Sequence, residues 1–398
     1  MANKVLWRFF TFLFVLNCVT FAKDETQDSA QVVSLPVPVF LDSSGVSDLV
    51  SSQLNKIENE VALAKFFKKC AELKSGLRSK VYVSQLGDSH LQADLESEMT
   101  RSLLMEEFGN GGRGLILPYN ISKTNEPWSA KTSAVEGTWK AHRLFNIQEP
   151  WGLKWGGLNV YCQDSICEIK VGVRNIGKSR YQFISLKILG DYDVAPIIQR
   201  SDSILLEQKV TWVNPDKKLI TFSGAWTENA MPGLVWSVIG HNSAEYKHYA
   251  FHQSMWADTS IPSQDLVILS LGTNDAIAKN FNEERLRKSI QEVFNLAKKR
   301  FPDVSILVTS PSDFYWNYRP SRYLSRVVTI LQEESQKSDF AFWNLYELSG
   351  GAGSVSEWKS RGYLQKDGVH LTHLGYSYRG KILAQALLQS WNRYVLQP

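Results

Sequence analysis

Two segments that lie far apart in the 398-residue chain contain the side chains of a nucleophile and of a base. The first is Gly-Asp-Ser-His at 87–90, between a predicted strand, Lys80 to Leu86, and a predicted helix, Leu91 to Phe108. A serine at the carboxyl edge of a parallel sheet, where a helix begins, is well placed to attack an ester, because the helix dipole favours developing negative charge. Ser89 is therefore the predicted nucleophile, although Asp88 or Ser89 would serve equally well as an ordinary helix N-cap.

The second segment is Asp-Gly-Val-His at 367–370, just before the last predicted helix, Tyr376 to about Val395. A carboxylate three residues before a histidine can bind Nδ1 of the ring, which leaves Nε2 to accept the proton of the serine. We therefore expect Asp367 to orient His370 as the general base. His373 is close enough to compete as the base, or to form a metal-binding pair with His370, but no third clustered ligand is evident and no metal site is predicted.

Candidate donors to an oxyanion follow two further predicted strands. Asn274 lies in Gly-Thr-Asn-Asp, after the strand Asp265 to Leu271, and Gly240 follows the strand Val235 to Ile239. A side-chain amide and a glycine N–H at this edge can stabilise negative charge, although each residue could also be an ordinary turn residue. Because parallel strands bring their carboxyl ends together, we expect these groups to converge on the serine.

The elements that position these residues alternate as in an α/β protein. Outside the segments already given, they are helices at Val46 to Ser75, Glu283 to Arg300 and Pro320 to Ser335, and strands at Ser305 to Ser310 and Phe340 to Leu345. From about Leu115 to Trp236, short alternating runs separated by Gly, Asn, Asp and Pro turns are instead typical of a β-sandwich. The sequence therefore predicts an α/β domain with a parallel sheet, residues 23–114 and 237–398, interrupted by an inserted β-sandwich domain at 115–236.

Length and composition exclude several classes of protein. The chain is 43% hydrophobic and 21% charged, as in a folded globular protein, and it is long enough for more than one folding unit. Its 44 basic and 40 acidic residues leave a net charge of +4 without a basic block that would neutralise a run of phosphates. Nucleic acid is therefore not expected as a partner.

Residues 1–22 have the pattern of a secretory signal peptide. Lys4 and Arg8 precede an apolar run, Phe9 to Ala22, that is short for a membrane anchor. Cleavage after Ala22 would release the mature chain, in which we expect no transmembrane segment. Cys18 leaves open a lipid-anchored alternative, in which the modified cysteine begins the mature protein. Either way the protein is expected to be exported.

Export would place the cysteines in an oxidising compartment, where disulfides form. Cys162 and Cys167 flank four residues between two strand-like runs, so we expect them to pair and to staple a hairpin. Cys70 falls in a helical apolar stripe, where a thiol behaves as a small hydrophobic side chain, and is predicted to be buried.

Together the four blocks resemble those of the SGNH (GDSL-like) hydrolases, a family named for its Ser, Gly, Asn and His. Gly-Asp-Ser-His stands here for the usual Gly-Asp-Ser-Leu, while Gly-Thr-Asn-Asp and Asp-Gly-Val-His closely match the third and last blocks. The variant first block, the export signal and the β-rich insert resemble the peptidoglycan O-acetylesterases of Gram-negative bacteria, whose insert is similar to a carbohydrate-binding module. The sequence His-Asn-Ser at 241–243 departs from the family, where smaller residues often follow the block glycine.

The resemblance implies a three-layer, flavodoxin-like α/β fold and a periplasmic serine esterase that needs no cofactor. It would remove O-acetyl groups from peptidoglycan through an acetyl-serine intermediate. In this scheme Ser89 is the nucleophile, His370 the general base and acid, and Asp367 its orienter; the N–H groups of Ser89 and Gly240 and the amide of Asn274 form the oxyanion hole.

Three other enzyme classes share features with the esterase. The same acetyl-serine could pass its acetyl group to a glycan hydroxyl, and the sequence blocks do not separate this transfer from hydrolysis. A GDSL-type lipase or thioesterase would be expected to show an apolar channel or lid, which the polar, aromatic insert argues against. The Gly-x-Ser-x-Gly elbow of α/β-hydrolases does not occur around Ser89, because Leu91 stands where its second glycine would be.

Tryptophans are concentrated in the insert and suggest how a glycan would be held. Seven of the chain's 13 tryptophans lie between Leu115 and Trp236. Flat aromatic rings fit the apolar faces of sugars, but large aromatic residues also fill the cores of β-sandwiches, and we expect most of the seven to do so. Trp151 and Trp155, in a glycine-rich stretch, are the predicted substrate-binding rings, exposed near the catalytic edge.

Overall fold

A computed structural model describes residues 49–50, 54–146, 152–174, 181, 185–199 and 206–396. The predicted signal segment with Cys18, and Trp151, lie outside the described residues.

In chain order, the strands are β1 (Lys80–Gly87), β2 (Asn110–Gly112), β3 (Gly114–Ile116), β4 (Ala130–Glu136), β5 (Lys140–Arg143), β6 (Leu158–Cys162), β7 (Ile166–Val173), β8 (Ser185–Leu189), β9 (Ile197–Ile198), β10 (Glu207–Val213), β11 (Ile220–Phe222), β12 (Gly224–Glu228), β13 (Gly233–Gly240), β14 (Leu266–Ser270), β15 (Ser305–Thr309), β16 (Tyr315–Trp316), β17 (Arg319–Pro320) and β18 (Ala341–Trp343). The helices are a 3-10 turn (Glu60–Leu63) followed by α1 (Ala64–Lys74), α2 (Ser89–Gln92), α3 (Leu95–Phe108), α4 (Tyr246–Phe251), α5 (Gln253–Ala257), α6 (Thr273–Ile277), α7 (Glu283–Arg300), α8 (Leu324–Lys337), α9 (Leu345–Leu348), α10 (Val355–Ser360) and α11 (His373–Leu396).

Six strands form a parallel sheet in the order β18-β15-β14-β1-β13-β2. Strands β13, β14 and β15 are buried along their whole length, which explains their continuous apolar sequences. Helix α7 buries the apolar stripe Leu286, Ile290, Val293, Phe294 and Ala297, as its spacing predicts. The predicted α/β class with a parallel sheet is confirmed.

Antiparallel strands between β2 and β13 form three further sheets, with the orders β4-β7-β10-β9, β11-β6-β5 and β3-β12-β8. They account for the predicted β-rich insert. The insert ends earlier than predicted, because β13 begins at Gly233 and carries Trp236 in the parallel sheet. Cys162 and Cys167 form a disulfide, but β6 and β7 belong to different sheets, so the bond joins two sheets and does not staple a hairpin.

The two ends of the insert are held together at the edge of the parallel sheet. Lys80 Nζ donates to the carbonyl oxygens of Gly111, Asn229 and Met231, at distances of 2.9, 2.6 and 2.7 Å. The N–H of Asn229 also donates to Gly111, at 2.8 Å. The chain therefore enters and leaves the insert at neighbouring points.

The helix predicted from Leu91 to Phe108 is interrupted. Asp94 takes a left-handed conformation, with φ of 61°, between α2 and α3. Its buried carboxylate accepts hydrogen bonds from Arg101 at 2.8 and 3.2 Å and from Arg113 at 3.2 Å. Tyr181 of the β-rich part lies 2.5 Å from Arg101 Nε. A buried charged network therefore links α3 to the β-rich part and holds the helix break in place.

Candidate active site

Ser89, His370 and Asp367 form a continuous chain of hydrogen bonds. Ser89 Oγ lies 2.9 Å from Nε2 of His370, and Nδ1 of the same ring lies 2.7 Å from Asp367 Oδ2. With Nδ1–H donating to the carboxylate, Nε2 presents its lone pair to the serine hydroxyl. This is the arrangement of a nucleophile, a base and the group that orients the base.

The strand-to-helix junction between β1 and α2 places Ser89 at the carboxyl edge of the parallel sheet. Asp88 caps α2 by accepting the N–H of His90 at 2.9 Å. Burial raises the pKa of Asp88 to about 6, although the hydrogen bond from His90 and the charge of Arg379 act in the opposite direction. Gly87 is required here, because a Cβ at this position would lie 2.5 Å from the carbonyl oxygen of Ser270. The junction therefore admits no side chain directly behind the serine.

The segment between β18 and α11 holds the base through its own backbone. Asp367 Oδ1 accepts the N–H groups of Val369 and His370, at 2.9 and 3.0 Å. Partial burial would raise the pKa of Asp367, but the hydrogen bonds from the His370 ring and from these two N–H groups lower it below its usual value. The carboxylate is therefore kept ionised and aimed at Nδ1.

His373, the competing base, has a different environment. Its Nδ1 lies 3.5 Å from Ser377 Oγ, and its ring contacts Trp128 with centroids 5.6 Å apart. The structure brings His370, and not His373, to Ser89. Among the described residues no group of three or more His, Cys, Asp or Glu side chains could hold a metal ion.

Asn274 lies at the same edge, at the start of α6 directly after β14. One Nδ2–H of its amide donates to the carbonyl oxygen of Ala244 at 3.0 Å, which fixes the amide plane, and the second N–H has no partner among the described residues. Strand β1, which leads to Ser89, pairs directly with β14 and β13, so Gly87 lies between Gly240 and Ser270. The three strand ends that carry the predicted Ser, Gly and Asn are therefore neighbours.

Gly240 does not offer a free N–H to the site. Its N–H donates to Tyr119 Oη at 3.0 Å, and Tyr119 in turn donates to the Gly240 carbonyl at 2.9 Å. A Cβ at Gly240 would lie 2.4 Å from the backbone nitrogen of Gln92, so this glycine is needed for close packing of α2 on β13. The expectation that the Gly240 amide faces an oxyanion is wrong for this reason.

The next residues of the same loop include a backbone N–H that is not bonded within the described structure. His241 and Asn242 donate their N–H groups to Gly87 and Gln92. Ser243 is exposed, with φ of 62°, and its N–H has no partner among the described residues. The departure of His-Asn-Ser at 241–243 from the family pattern is a weak sequence signal for this position.

Two buried groups near the site escaped sequence reasoning. His90 lies against His370, with ring centroids 5.3 Å apart, and its Nδ1 is 3.0 Å from Tyr376 Oη. Burial lowers the pKa of His90 well below its usual value, and the charges of Arg379 and His370 lower it further. His90 is therefore neutral and adds no charge beside the base.

Asp275, directly after Asn274, is the second group. Its Oδ1 accepts the N–H of Tyr246 at 3.3 Å, while its buried Oδ2 has no hydrogen-bond partner in the described part of the chain. Burial raises the pKa of Asp275 to about 8, and the carboxylate of Glu245 raises it further. From the sequence, Asp275 was visible only as the last residue of the Gly-Thr-Asn-Asp block, next to the predicted oxyanion donor Asn274.

Trp155 cannot contact a substrate. Its side chain is fully buried and packs edge-on against Trp256 and Phe301, with centroids 5.3 Å away in each case. The expected exposure of Trp155 is therefore wrong: the ring fills the core. Of the other insert tryptophans, Trp128 is 49% exposed.

Comparison with known proteins agrees with the fold and with the sequence blocks. Residues 221–378 match the model of the GDSL-like Lipase/Acylhydrolase family, a range that contains Asn274, Asp367 and His370 but not Ser89. Among curated protein sequences, no significant match was found.

One solved structure is similar over most of the chain. It is described as "Peptidoglycan O-acetylesterase in action, 5 min" and has a TM-score of 0.69 at 19% identity, covering 88% of this chain and 100% of its own. A lipase/acylhydrolase from Enterococcus faecalis (16% identity, TM-score 0.31, 39% of this chain and 77% of its own) and a carbohydrate esterase family 3 protein from Talaromyces cellulolyticus (19%, 0.31, 39% and 72%) match a smaller part.

The described residues contain no helix long and apolar enough to span a membrane. The parallel sheet with its antiparallel insert is the fold of the peptidoglycan O-acetylesterase structure, and residues 221–378 are similar to the GDSL-like lipase/acylhydrolase family, which the sequence blocks also resemble.

Proposed function

We propose that this protein is a serine esterase that removes O-acetyl groups from peptidoglycan. The observation that carries the proposal is the hydrogen-bonded chain from Ser89 through His370 to Asp367, at 2.9 and 2.7 Å. The covalent route through an acetyl-serine requires all three groups at such distances.

In the first half of the reaction, Ser89 Oγ attacks the acetyl carbonyl carbon while Nε2 of His370 takes the hydroxyl proton. The carbonyl oxygen becomes an oxyanion, which the N–H of Ser89 and the free N–H of Asn274 stabilise. Because the Gly240 N–H is bound to Tyr119, we assign the third donor to the N–H of Ser243. Collapse of the tetrahedral intermediate breaks the ester bond, and His370 returns its proton to the departing sugar oxygen.

In the second half, a water molecule attacks the acetyl-serine. His370 takes a proton from the water, the same donors hold the second oxyanion, and release of acetate restores the Ser89 hydroxyl. Asp367 carries no proton in either half; it holds the ring orientation and stabilises the imidazolium. No cofactor takes part in these steps.

The choice of peptidoglycan as substrate is supported by two features. The chain has the fold of a structure described as a peptidoglycan O-acetylesterase, which it matches over 88% of its own length and all of the other chain. The basic and apolar pattern of residues 1–22 would direct the protein out of the cytoplasm, into the periplasm where this substrate lies. Trp151 remains a predicted contact to the glycan.

The direct test incubates purified protein with O-acetylated peptidoglycan and measures free acetate. We expect acetate release by the wild type and none by Ser89→Ala. A parallel reaction with an unacetylated acceptor glycan would reveal transfer, and one with long-chain acyl esters would reveal a lipase. Acetyl groups recovered on the acceptor in place of acetate, or a preference for long acyl chains, would overturn the proposed hydrolysis of glycan acetyl esters.

The proposed export has its own test. Mass spectrometry of protein recovered from the cell envelope should show a mature chain that begins at Lys23. Partitioning into detergent with a lipid-modified Cys18 would support the anchored alternative. An intact chain that begins at Met1 and remains in the cytoplasm would contradict export.

A further inference from the structure

A short hairpin beside the catalytic loop carries exposed aromatic rings that the mechanism does not use. Strand β16 pairs with β17 through Tyr315 with Pro320 and Trp316 with Arg319. Trp316 is 46% exposed, and Tyr318 at the tip is 87% exposed. Two large exposed rings on one short hairpin form an apolar patch of the kind that often marks an interaction site.

The tip of the hairpin has a backbone conformation that its sequence does not favour. Asn317 and Tyr318 both have positive φ, 51° and 63°, as in the two-residue turn of type I′. Asparagine is common in the first of these positions, but the second strongly favours glycine, because a Cβ in the left-handed region is strained. Tyr318 is too exposed for packing to compensate for this strain. Backbone strain that packing does not repay is characteristic of ligand-binding positions.

The hairpin is fixed to the loop that holds the catalytic base. The N–H of Tyr315 donates to the carbonyl oxygen of Gly368 at 2.8 Å, and Gly368 lies between Asp367 and His370. Gly368 has φ of 74°, and a Cβ there would lie 3.2 Å from Tyr315. The hairpin that carries the exposed rings is therefore fixed to the loop of Asp367 and His370.

A third exposed ring, that of Trp128, lies next to the helix that follows the loop of Asp367 and His370. Trp128 contacts the ring of His373, three residues after the catalytic base. The backbone N–H of Trp128 donates to the carbonyl oxygen of Ala93 at 2.9 Å. Ala93 directly follows α2, the helix that begins at Ser89. Trp128 is thus tied both to the helix of the nucleophile and to the helix that follows the base.

We propose that the β16–β17 hairpin is a glycan-binding platform on which Trp316 and Tyr318 stack against pyranose rings of the acetylated chain, with Trp128 as a further contact. The inference rests on the proposed esterase function. Aromatic rings bind the apolar faces of sugars without requiring a particular pattern of hydroxyl groups, so a platform of this kind suits a polymer of repeating sugars. It would hold the chain while Ser89 attacks an acetyl ester on it.

The decisive variant is Tyr318→Gly, because a structural role and a binding role of the ring predict opposite changes in glycan turnover. If Tyr318 only shapes the turn, the resulting Asn-Gly pair is the favoured type I′ sequence, so both the melting temperature and glycan turnover should be maintained or improved. If the ring binds glycan, the melting temperature rises or holds while the ratio of kcat/KM on O-acetylated peptidoglycan to kcat/KM on p-nitrophenyl acetate falls. We expect this ratio to fall at least about fivefold, mainly through KM on the polymer.

Three further variants complete the test. Trp316→Ala should lower the same ratio, and Tyr318→Phe, which keeps a ring, should retain most of the wild-type ratio. Phe251→Ala removes a ring that is 57% exposed at the end of α4 and serves as the control, with no change in the ratio expected.

An unchanged ratio in both Tyr318→Gly and Trp316→Ala would overturn the platform while acetate release by the wild type left the esterase intact. Failure of the wild type to release acetate from peptidoglycan would instead refute the proposed function itself. A lower melting temperature for Tyr318→Gly would show that the ring stabilises the hairpin and would also count against the platform.

Discussion

Ser89 and His370 lie 281 positions apart in the sequence, yet Oγ and Nε2 are 2.9 Å apart in the folded chain. The serine depends on the β1–α2 junction, and the histidine on the loop before α11. Helices α3 and α11 pack against each other, and Arg379 of α11 meets Glu96 of α3 at 3.0 Å in the protein interior. The distance between Oγ and Nε2 therefore depends on the packing of two long helices as well as on the sheet.

Ser89→Ala should abolish ester hydrolysis without unfolding the protein, because it removes the nucleophile and adds no volume to a tightly packed edge. We expect a loss of about a thousandfold or more in kcat on p-nitrophenyl acetate. Circular dichroism should show an unchanged fold. Turnover within about tenfold of the wild type would exclude Ser89 as the nucleophile.

Alanine substitution of His370 and of His373 should have unequal effects on activity. His370→Ala removes the only imidazole bonded to Ser89 Oγ in the described structure and should be as damaging as Ser89→Ala. His373→Ala removes a ring that contacts Ser377 and Trp128 and should retain most of the activity on p-nitrophenyl acetate. Steady-state kinetics on p-nitrophenyl acetate compare the two losses of activity. A larger loss in His373→Ala than in His370→Ala would assign the base to His373.

Asn274→Ala should lower kcat by roughly a hundredfold to a thousandfold with little change in KM, because its free N–H acts on charge that develops in the transition state. A change confined to KM would make Asn274 a substrate-binding residue.

Ser243→Gly tests whether Ser243, the proposed third donor, acts only through its backbone N–H. Glycine keeps the backbone N–H and removes the strain of a Cβ at φ of 62°, so the free energy of unfolding should rise by about 0.5–1 kcal/mol with kcat maintained. Urea denaturation and steady-state kinetics measure the two quantities. A large fall in kcat would show that the Ser243 side chain, and not only its amide, takes part.

Ionisation of the buried Asp275 carboxyl group should lower the free energy of unfolding as the pH rises. Burial raises its pKa to about 8 in the folded protein, against a usual value near 4 for a free aspartate, so the folded state binds the extra proton between these limits. This group's contribution is therefore most favourable below about pH 4 and is lost progressively as the pH rises to about 8, by about 1.4 kcal/mol per pH unit at most.

Asp275→Asn removes this titration while keeping an oxygen to accept the N–H of Tyr246. Relative to the variant, the wild type should melt at a lower temperature at pH 8.5 than at pH 5, by differential scanning calorimetry. A difference in melting temperature that is the same at both pH values would show that Asp275 does not titrate in this range.

Asp94→Ala should destabilise the fold strongly, because it leaves the buried guanidinium groups of Arg101 and Arg113 without their shared partner. The expected loss is about 3–5 kcal/mol in the free energy of unfolding, measured by urea denaturation. Glu357→Ala breaks the exposed pair with Arg361 and should cost less than about 1 kcal/mol. Equal losses in the two variants would mean that the buried network contributes no more than a surface ion pair.

The strands and the chemical blocks could be predicted because their signals are local. Strand β14, Leu-Val-Ile-Leu-Ser, is apolar because both its faces are buried, and Gly-Thr-Asn-Asp follows it directly. Asp367 and His370 could be paired because three residues separate them, a distance that one turn of backbone closes.

The features that escaped prediction depend on residues far away in the sequence. The break at Asp94 is held in part by Arg113, and the Gly240 N–H is occupied by a tyrosine 121 positions earlier. Trp155 is buried by Trp256 and Phe301, which belong to the part of the chain after the insert. No local pattern contains this information, because each case is decided by a tertiary contact.

The Lys80 contacts that join the two ends of the insert also bear on the order of folding. Strand β13 lies between β1 and β2, yet 119 positions separate Asn110 from Asn229, so the sheet cannot close until the whole insert has been synthesised. The entropy cost of closing a loop grows only slowly with its length, and an insert that folds first would already bring its ends together. Nucleation within the antiparallel strands would therefore speed assembly of the catalytic edge, and mutations that slow it would delay the appearance of activity during refolding more than they lower its final level.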